Sequence, residues 1–128
     1  MNLLLDTCAF LWLAASPERI SPAAHRAIDD ESNTLYLSDA SIWEIALKHA
    51  LGKLPLPTLP RTWVPAQAAF FQLRRLAIDP QTIYLSAELP SLHRDPFDRL
   101  LAAQAQCLAM TVLTPDLPFQ QLGAKVTW

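Results

Sequence analysis

Three consecutive leucines, Leu3-Leu4-Leu5, run straight into Asp6-Thr7. A short apolar run without alternation suits a strand covered on both faces, the kind found in parallel sheets. Further short strands are expected at Thr34-Leu35-Tyr36-Leu37, Arg74–Ile78 and Met110–Thr114, with Val126-Thr127-Trp128 as a last edge strand. Helical stretches separate them. Cys8–Ala15 stops at Ser16-Pro17-Glu18, and Ala23–Asp30 opens with Ser21 as N-cap and Pro22 at N1. Ile42–His49 is closed by Gly52 and capped by Ser38 or Ser41, of which Ser41 fits a capping box with Glu44. Trp63–Leu73 follows a loop marked by Pro55, Pro57 and Pro60, and Pro80–Leu89 forms a short helix. The alternation predicts one α/β domain over residues 1–128, in three α/β/α layers with a mainly parallel sheet.

Hydrophobic residues make up 52% of the 128 and charged residues 17%, which suits a globular chain with a sizeable core. The formal net charge of −2 supplies no bulk attraction for nucleic acid. Placement changes that: setting four acids aside in one pocket leaves the remainder at +2. Cys8 and Cys107 lie far apart on apolar patterns and read as reduced thiols. No charged leader precedes the first apolar run, and no run approaches the ~18 residues of a membrane span. A cytoplasmic location is expected.

Chemistry concentrates in His93-Arg94-Asp95-Pro96-Phe97-Asp98-Arg99-Leu100-Leu101-Ala102-Ala103-Gln104-Ala105. Asp95 is placed to cap a helix, Pro96 suits its first turn, and Asp98 lies where the helix dipole favours an acid. In open α/β sheets ligands gather beyond the carboxyl ends of the strands. Asp6 follows the first strand, Asp116 follows Met110–Thr114, Glu44 lies on the helix after the second strand, and Asp98 on the helix feeding the fourth. Four carboxylates so gathered repel one another unless a cation neutralises them. Mg²⁺ or Mn²⁺ suits such oxygen ligands and a phosphodiester substrate. Each acid also has a plainer use, in a cap or a turn; Asp6 is hardest to dismiss, since burying it without a partner is costly.

Around these acids, Thr7 and Thr114 offer hydroxyls to the carboxylates or to a metal-bound water, and Lys48, Arg94 and Arg99 are candidates for substrate phosphates. His25, His49 and His93 lack metal-ligand spacing and read as solvated or core histidines. The helical spacing of Trp43 and Trp63 favours the core over base stacking. Apolar surface around Trp12, Trp63, Phe70 and Phe71 offers dimer or partner contacts.

Leu3-Leu4-Leu5-Asp6-Thr7, Ser38 through Lys48, His93 through Ala105 and Thr114-Pro115-Asp116 together resemble the PIN-domain ribonucleases, in particular the VapC-like toxins of bacterial toxin–antitoxin pairs. The likeness runs nearly end to end, and its long third motif is the specific one. It implies Asp6, Glu44, Asp98 and Asp116 as the acidic quartet. Asp98 is preferred to Asp95 because it keeps the family's spacing to Leu101-Ala102-Ala103. It further implies Mg²⁺- or Mn²⁺-dependent cleavage of RNA, a homodimer and inhibition by a cognate antitoxin. Cys8 departs from the subgroup, which often has His there. Rival readings fit less well. A receiver domain wants an adjacent early acid pair, and a haloacid-dehalogenase-type phosphatase wants an Asp where Cys8 stands. A degenerate PIN domain that binds RNA or protein without cutting is the remaining alternative.

Overall fold

The computed structural model describes residues 1–91 and 93–128. Five strands, β1 (Asn2–Leu5), β2 (Thr34–Ser38), β3 (Arg74–Leu76), β4 (Thr111–Leu113) and β5 (Lys125–Thr127), form one sheet in the order β3-β2-β1-β4-β5. All four pairings are parallel. Between them run α1 (Thr7–Ala15), α2 (Pro22–Asp29), α3 (Asp39–Ala50), α4 (Pro60–Phe70), α5 (Pro80–Glu88), α6 (Pro96–Cys107) and the single turn α7 (Pro118–Gln121). The α/β assignment holds, with the sheet wholly parallel among the described residues.

The leucine triplet lies at the centre. Successive side chains on a strand point to opposite faces. Leu3 and Leu5 accordingly join Phe10 and Leu13 of α1, Ile45 of α3 and Trp63 of α4. Leu4 joins Leu101 and Ala105 of α6 and Phe119 of α7 on the other face. All three leucines are fully buried. Three layers follow from that double burial.

Several element ends differ from the sequence reading. Ser38, not Ser41, caps α3, its Oγ accepting from the Ala40 N–H at 3.0 Å. Ser41 falls inside the helix, so the capping box with Glu44 does not form. Gly52, at φ +72°, ends α3 as expected: only a residue at ease in left-handed space lets Lys53 N–H reach back to Lys48 O at 2.9 Å. Pro60 begins α4 at its first turn and does not mark a loop, because a missing N–H costs nothing there. A short 3₁₀ turn at Pro17–Arg19 and α7 carried too little periodicity to be anticipated.

Trp63 is in the core, edge-on to Phe10 at 5.8 Å between ring centroids. It is therefore not part of a contact surface. Trp43 is the reverse case. It is 53% exposed and leans edge-on against Phe97 at 4.8 Å, so the core placement expected from spacing is corrected.

Strand order fixes where the site lies. From β1 the chain moves outward through β2 to β3, then returns to place β4 on the other side of β1. A crevice opens at such a reversal, beyond the carboxyl ends of β1 and β4.

Candidate active site

Asp6 and Asp116 lie at that reversal. Asp6 ends β1 and caps α1, its Oδ1 accepting from the Ala9 N–H at 2.6 Å. Its Oδ2 accepts from Thr114 Oγ1, also at 2.6 Å, and Thr114 Oγ1 in turn accepts from the Asp116 N–H at 2.9 Å. One threonine thus couples the turn after β4 to the acid after β1.

Glu44 enters from α3. It is 5% exposed, with Oε1 accepting from Thr7 Oγ1 at 2.6 Å and Oε2 paired with Lys48 one turn later. The Ser41 hydroxyl lies 3.0 Å from the same Thr7 oxygen. The side chain expected to complete a capping box is instead drawn across to α1. The Lys48 pKa is raised, chiefly by its hydrogen bond to Glu44.

Asp98 arrives on the first turn of α6. The start of that helix is fixed by Asp95, whose Oδ1 accepts from the N–H groups of Phe97 (2.9 Å) and Asp98 (3.4 Å), and by Pro96 at N1. His93 lies over this turn, with Nε2 donating to Asp98 Oδ2 at 2.8 Å. The four acids, with Thr7, Cys8, Asp95 and Pro115, line one open cleft of about 370 Å³.

Burial drives the electrostatics. Asp6 is pushed up to about 7, first by loss of solvent; the hydrogen bonds from Thr114 and Ala9 oppose this, and the charges of Asp98 and Asp116 add to it. Asp98 is pushed up to about 6, again chiefly by burial, with the His93 hydrogen bond opposing and the charge of Asp95 adding. Ionising carboxylates held in this way is costly, and a positive charge among them offsets that cost. The Cys8 thiol is raised to about 11, mainly by burial and then by Asp6, so it stands at the rim as a neutral thiol and not as a nucleophile.

The donor set fits a hard divalent cation. Ligand atoms of His93, Asp98 and Asp116 lie within 4.8 Å of one another, and Asp6 and Glu44 share the cleft. Oxygen-rich sites of this kind suit Mg²⁺ and Mn²⁺, and Mn²⁺ also accepts an imidazole neighbour.

The remaining candidates divide. Thr7 and Thr114 donate their hydroxyls to Glu44 and Asp6, so they orient these acids. Lys48 is half-exposed beside Glu44, and Arg94 is exposed at the head of the motif. Arg99 is a correction. Its guanidinium donates to the carbonyls of Ser86 (2.9 Å), Leu89 (2.7 Å), Pro90 (2.6 Å) and His93 (2.9 Å), with Ala87 at 3.5 Å. A cation that closes the carbonyl end of α5 is not free for phosphate.

His93 is the residue that sequence reasoning missed. No ligand spacing marked it, yet Asp95-Pro96 forces a turn that folds residue 93 back over the first helical turn. His25 and His49 bond to backbone carbonyls, at Pro17 and Leu54. If Asp95 serves the cap and not the chemistry, Asp95→Ala should cost about 1 kcal/mol of stability. Binding of a divalent cation should then weaken far less than in Asp98→Asn, as thermal melts and cation titrations of both variants would show.

Comparisons with known proteins bear on the whole chain. The family profile described as PIN domain matches residues 3–125. Ribonuclease VapC22 of Mycobacterium tuberculosis (strain ATCC 25618 / H37Rv) is 31% identical over 116 residues, 90% of this chain and 87% of that protein. Ribonuclease VapC16 of the same organism is 38% identical over 56 residues, 44% of this chain and 36% of that protein. Among solved structures, VapBC2 from Rickettsia felis, bound to a DNA fragment from their promoter, superposes with a TM-score of 0.75 at 14% identity, covering 99% of this chain and 98% of that one. FitAcB from Neisseria gonorrhoeae gives 0.65 at 21% identity, covering 98% and 96%. At such identities the structural likeness speaks for the fold.

Proposed function

Because the chain belongs to the PIN-domain family and is similar to ribonuclease VapC22 along most of its length, we propose that it is an endoribonuclease, the toxin of a toxin–antitoxin pair. The observation that carries this reading is the cleft in which Asp6, Glu44, Asp98 and Asp116 face one another from four separate segments. Residues 1–128 act as one nuclease domain. It acts in the cytoplasm; among the described residues no helix is long and apolar enough to cross a membrane.

Asp6, Asp98 and Asp116, with Glu44 beside them, would hold Mg²⁺ or Mn²⁺. Such a cation supplies an activated water and charge stabilisation at the phosphodiester. The chain's own residues prepare the place. Thr114 holds one oxygen of Asp6, Thr7 and Lys48 hold Glu44, and His93 holds Asp98. Arg94 and the exposed side of Lys48 are the cations left to meet RNA phosphates.

An antitoxin partner is supported by the solved relatives, whose descriptions name VapBC assemblies. A homodimer is proposed with it; the exposed Trp43, Ile83 and Tyr84 offer apolar surface for contacts.

The test is cleavage of RNA by purified protein with Mg²⁺ or Mn²⁺, compared with Asp98→Asn. The wild type is expected to cut and the variant to fall to background. Equal residual activity in the two would favour a domain that binds without cutting.

A further inference from the structure

Arg99 does more than a helix cap requires. Closing α5 needs only the carbonyls at its own end, which the guanidinium already meets through Ser86 and Leu89. Nη1 reaches on to the carbonyl of His93 at 2.9 Å. The imidazole of that same residue turns back, donating from Nε2 to Asp98 Oδ2 at 2.8 Å, with its ring against the buried Phe119 at 6.5 Å between centroids. Asp98 is the residue directly before Arg99, so the contacts close a loop: Arg99 guanidinium, His93 carbonyl, His93 ring, Asp98 carboxylate.

We propose that Arg99 and His93 form a positioning relay that fixes the Asp98 carboxylate for cation binding, Arg99 acting only through His93. This rests on the nuclease reading of the cleft. With Oδ2 held by the imidazole, Asp98 loses freedom to rotate and presents Oδ1 to the cleft. A neighbour that orients a ligating carboxylate typically changes metal affinity 10–100-fold when removed. A lysine cannot substitute for Arg99, since an ammonium carries three donors and the guanidinium meets five carbonyls.

The probe is Mn²⁺ alone, its free-ion resonance followed as full-length protein is titrated. His93→Ala should weaken binding roughly 10–100-fold, and His93→Gln, which keeps an N–H donor, should recover part of the loss. Arg99→Lys should weaken it in the same direction in the wild type. In the His93→Ala background it should add nothing, because residues acting through one another are non-additive. Pulsed resonance on bound Mn²⁺ should show no directly coordinated imidazole nitrogen. Independent, multiplying effects of the two substitutions would overturn the relay. So would a direct nitrogen coupling, which would make His93 a ligand. Should Arg99→Lys not fold, the coupling across the hydrogen bond from Arg99 Nη1 to the His93 carbonyl in the wild type replaces it: a resolved coupling supports the anchor, and its absence beside a resolved coupling to the Pro90 carbonyl overturns it. Failure of the wild type to bind Mn²⁺ would instead remove the nuclease reading beneath it.

Discussion

Asp6→Asn is expected to abolish RNA cleavage while leaving the cation-free protein more stable than the wild type at pH 8. The two effects share one cause. Asp6 is 3% exposed, and its carboxyl is raised to about 7 chiefly because ionising it there is costly. The amide has the same shape. Its oxygen keeps the Ala9 N–H, but its NH₂ now faces Thr114 Oγ1, whose own O–H loses its acceptor and offsets part of the gain. Removing the charge should stabilise the cation-free fold by at least about 1 kcal/mol, the equivalent of roughly one unit of pKa displacement. Activity should fall on the order of a thousandfold, the scale on which losing one preorganised charge-stabilising group slows an enzyme. Melting curves in chelator and single-turnover cleavage would measure both. A variant that cuts at the wild-type rate would remove Asp6 from the chemistry.

The second large effect is a reversal of pH dependence by divalent cation. Asp6 at about 7 and Asp98 at about 6 both lie above the 3.8 of an unburied aspartate. Between these values the folded state holds more protons than the unfolded chain, so raising the pH removes stability, and the loss is complete only above the folded pKa. In chelator the melting temperature should fall from pH 5 to pH 8, with a slope reaching about 1.4 kcal/mol per pH unit for Asp6. With Mn²⁺ present the slope should turn the other way, because cation binding requires the carboxylates ionised. A hundredfold excess over Kd adds about 2.7 kcal/mol, or roughly 10 °C for a chain of this size. Asp6→Asn should lose most of that gain. Melting curves flat with pH, and unmoved by Mn²⁺, would mean the acids do not share a buried site.

Much of this molecule was legible beforehand, for identifiable reasons. Leu3-Leu4-Leu5 announced a doubly covered strand, since a short apolar run without alternation suits a parallel strand buried on both faces. Ser21-Pro22 and Asp95-Pro96 marked helix starts because cap chemistry is local: a side-chain oxygen, a missing N–H and a fixed φ act within four residues. Elements ended by such chemistry were placed closely, whereas α4, whose start depends on reading Pro60 as first turn and not loop, was displaced by three residues.

What the chain order alone settled was that strands alternate with helices and that acids follow the strands, because propensity, capping and apolar periodicity are written within a few residues. Which groups meet was decided only on folding. Ser41 and Glu44 satisfy a capping pattern, yet packing of α3 against α1 gives Glu44 to Thr7 and the cap to Ser38. Arg99 looks like a phosphate contact until α5 presents its open carbonyls, and His93 is unremarkable until the turn at Asp95-Pro96 lays it on Asp98. Such contacts join residues with no local reason to pair, so only the reversal of the sheet at β1 and β4 and the layers packed on it could choose them.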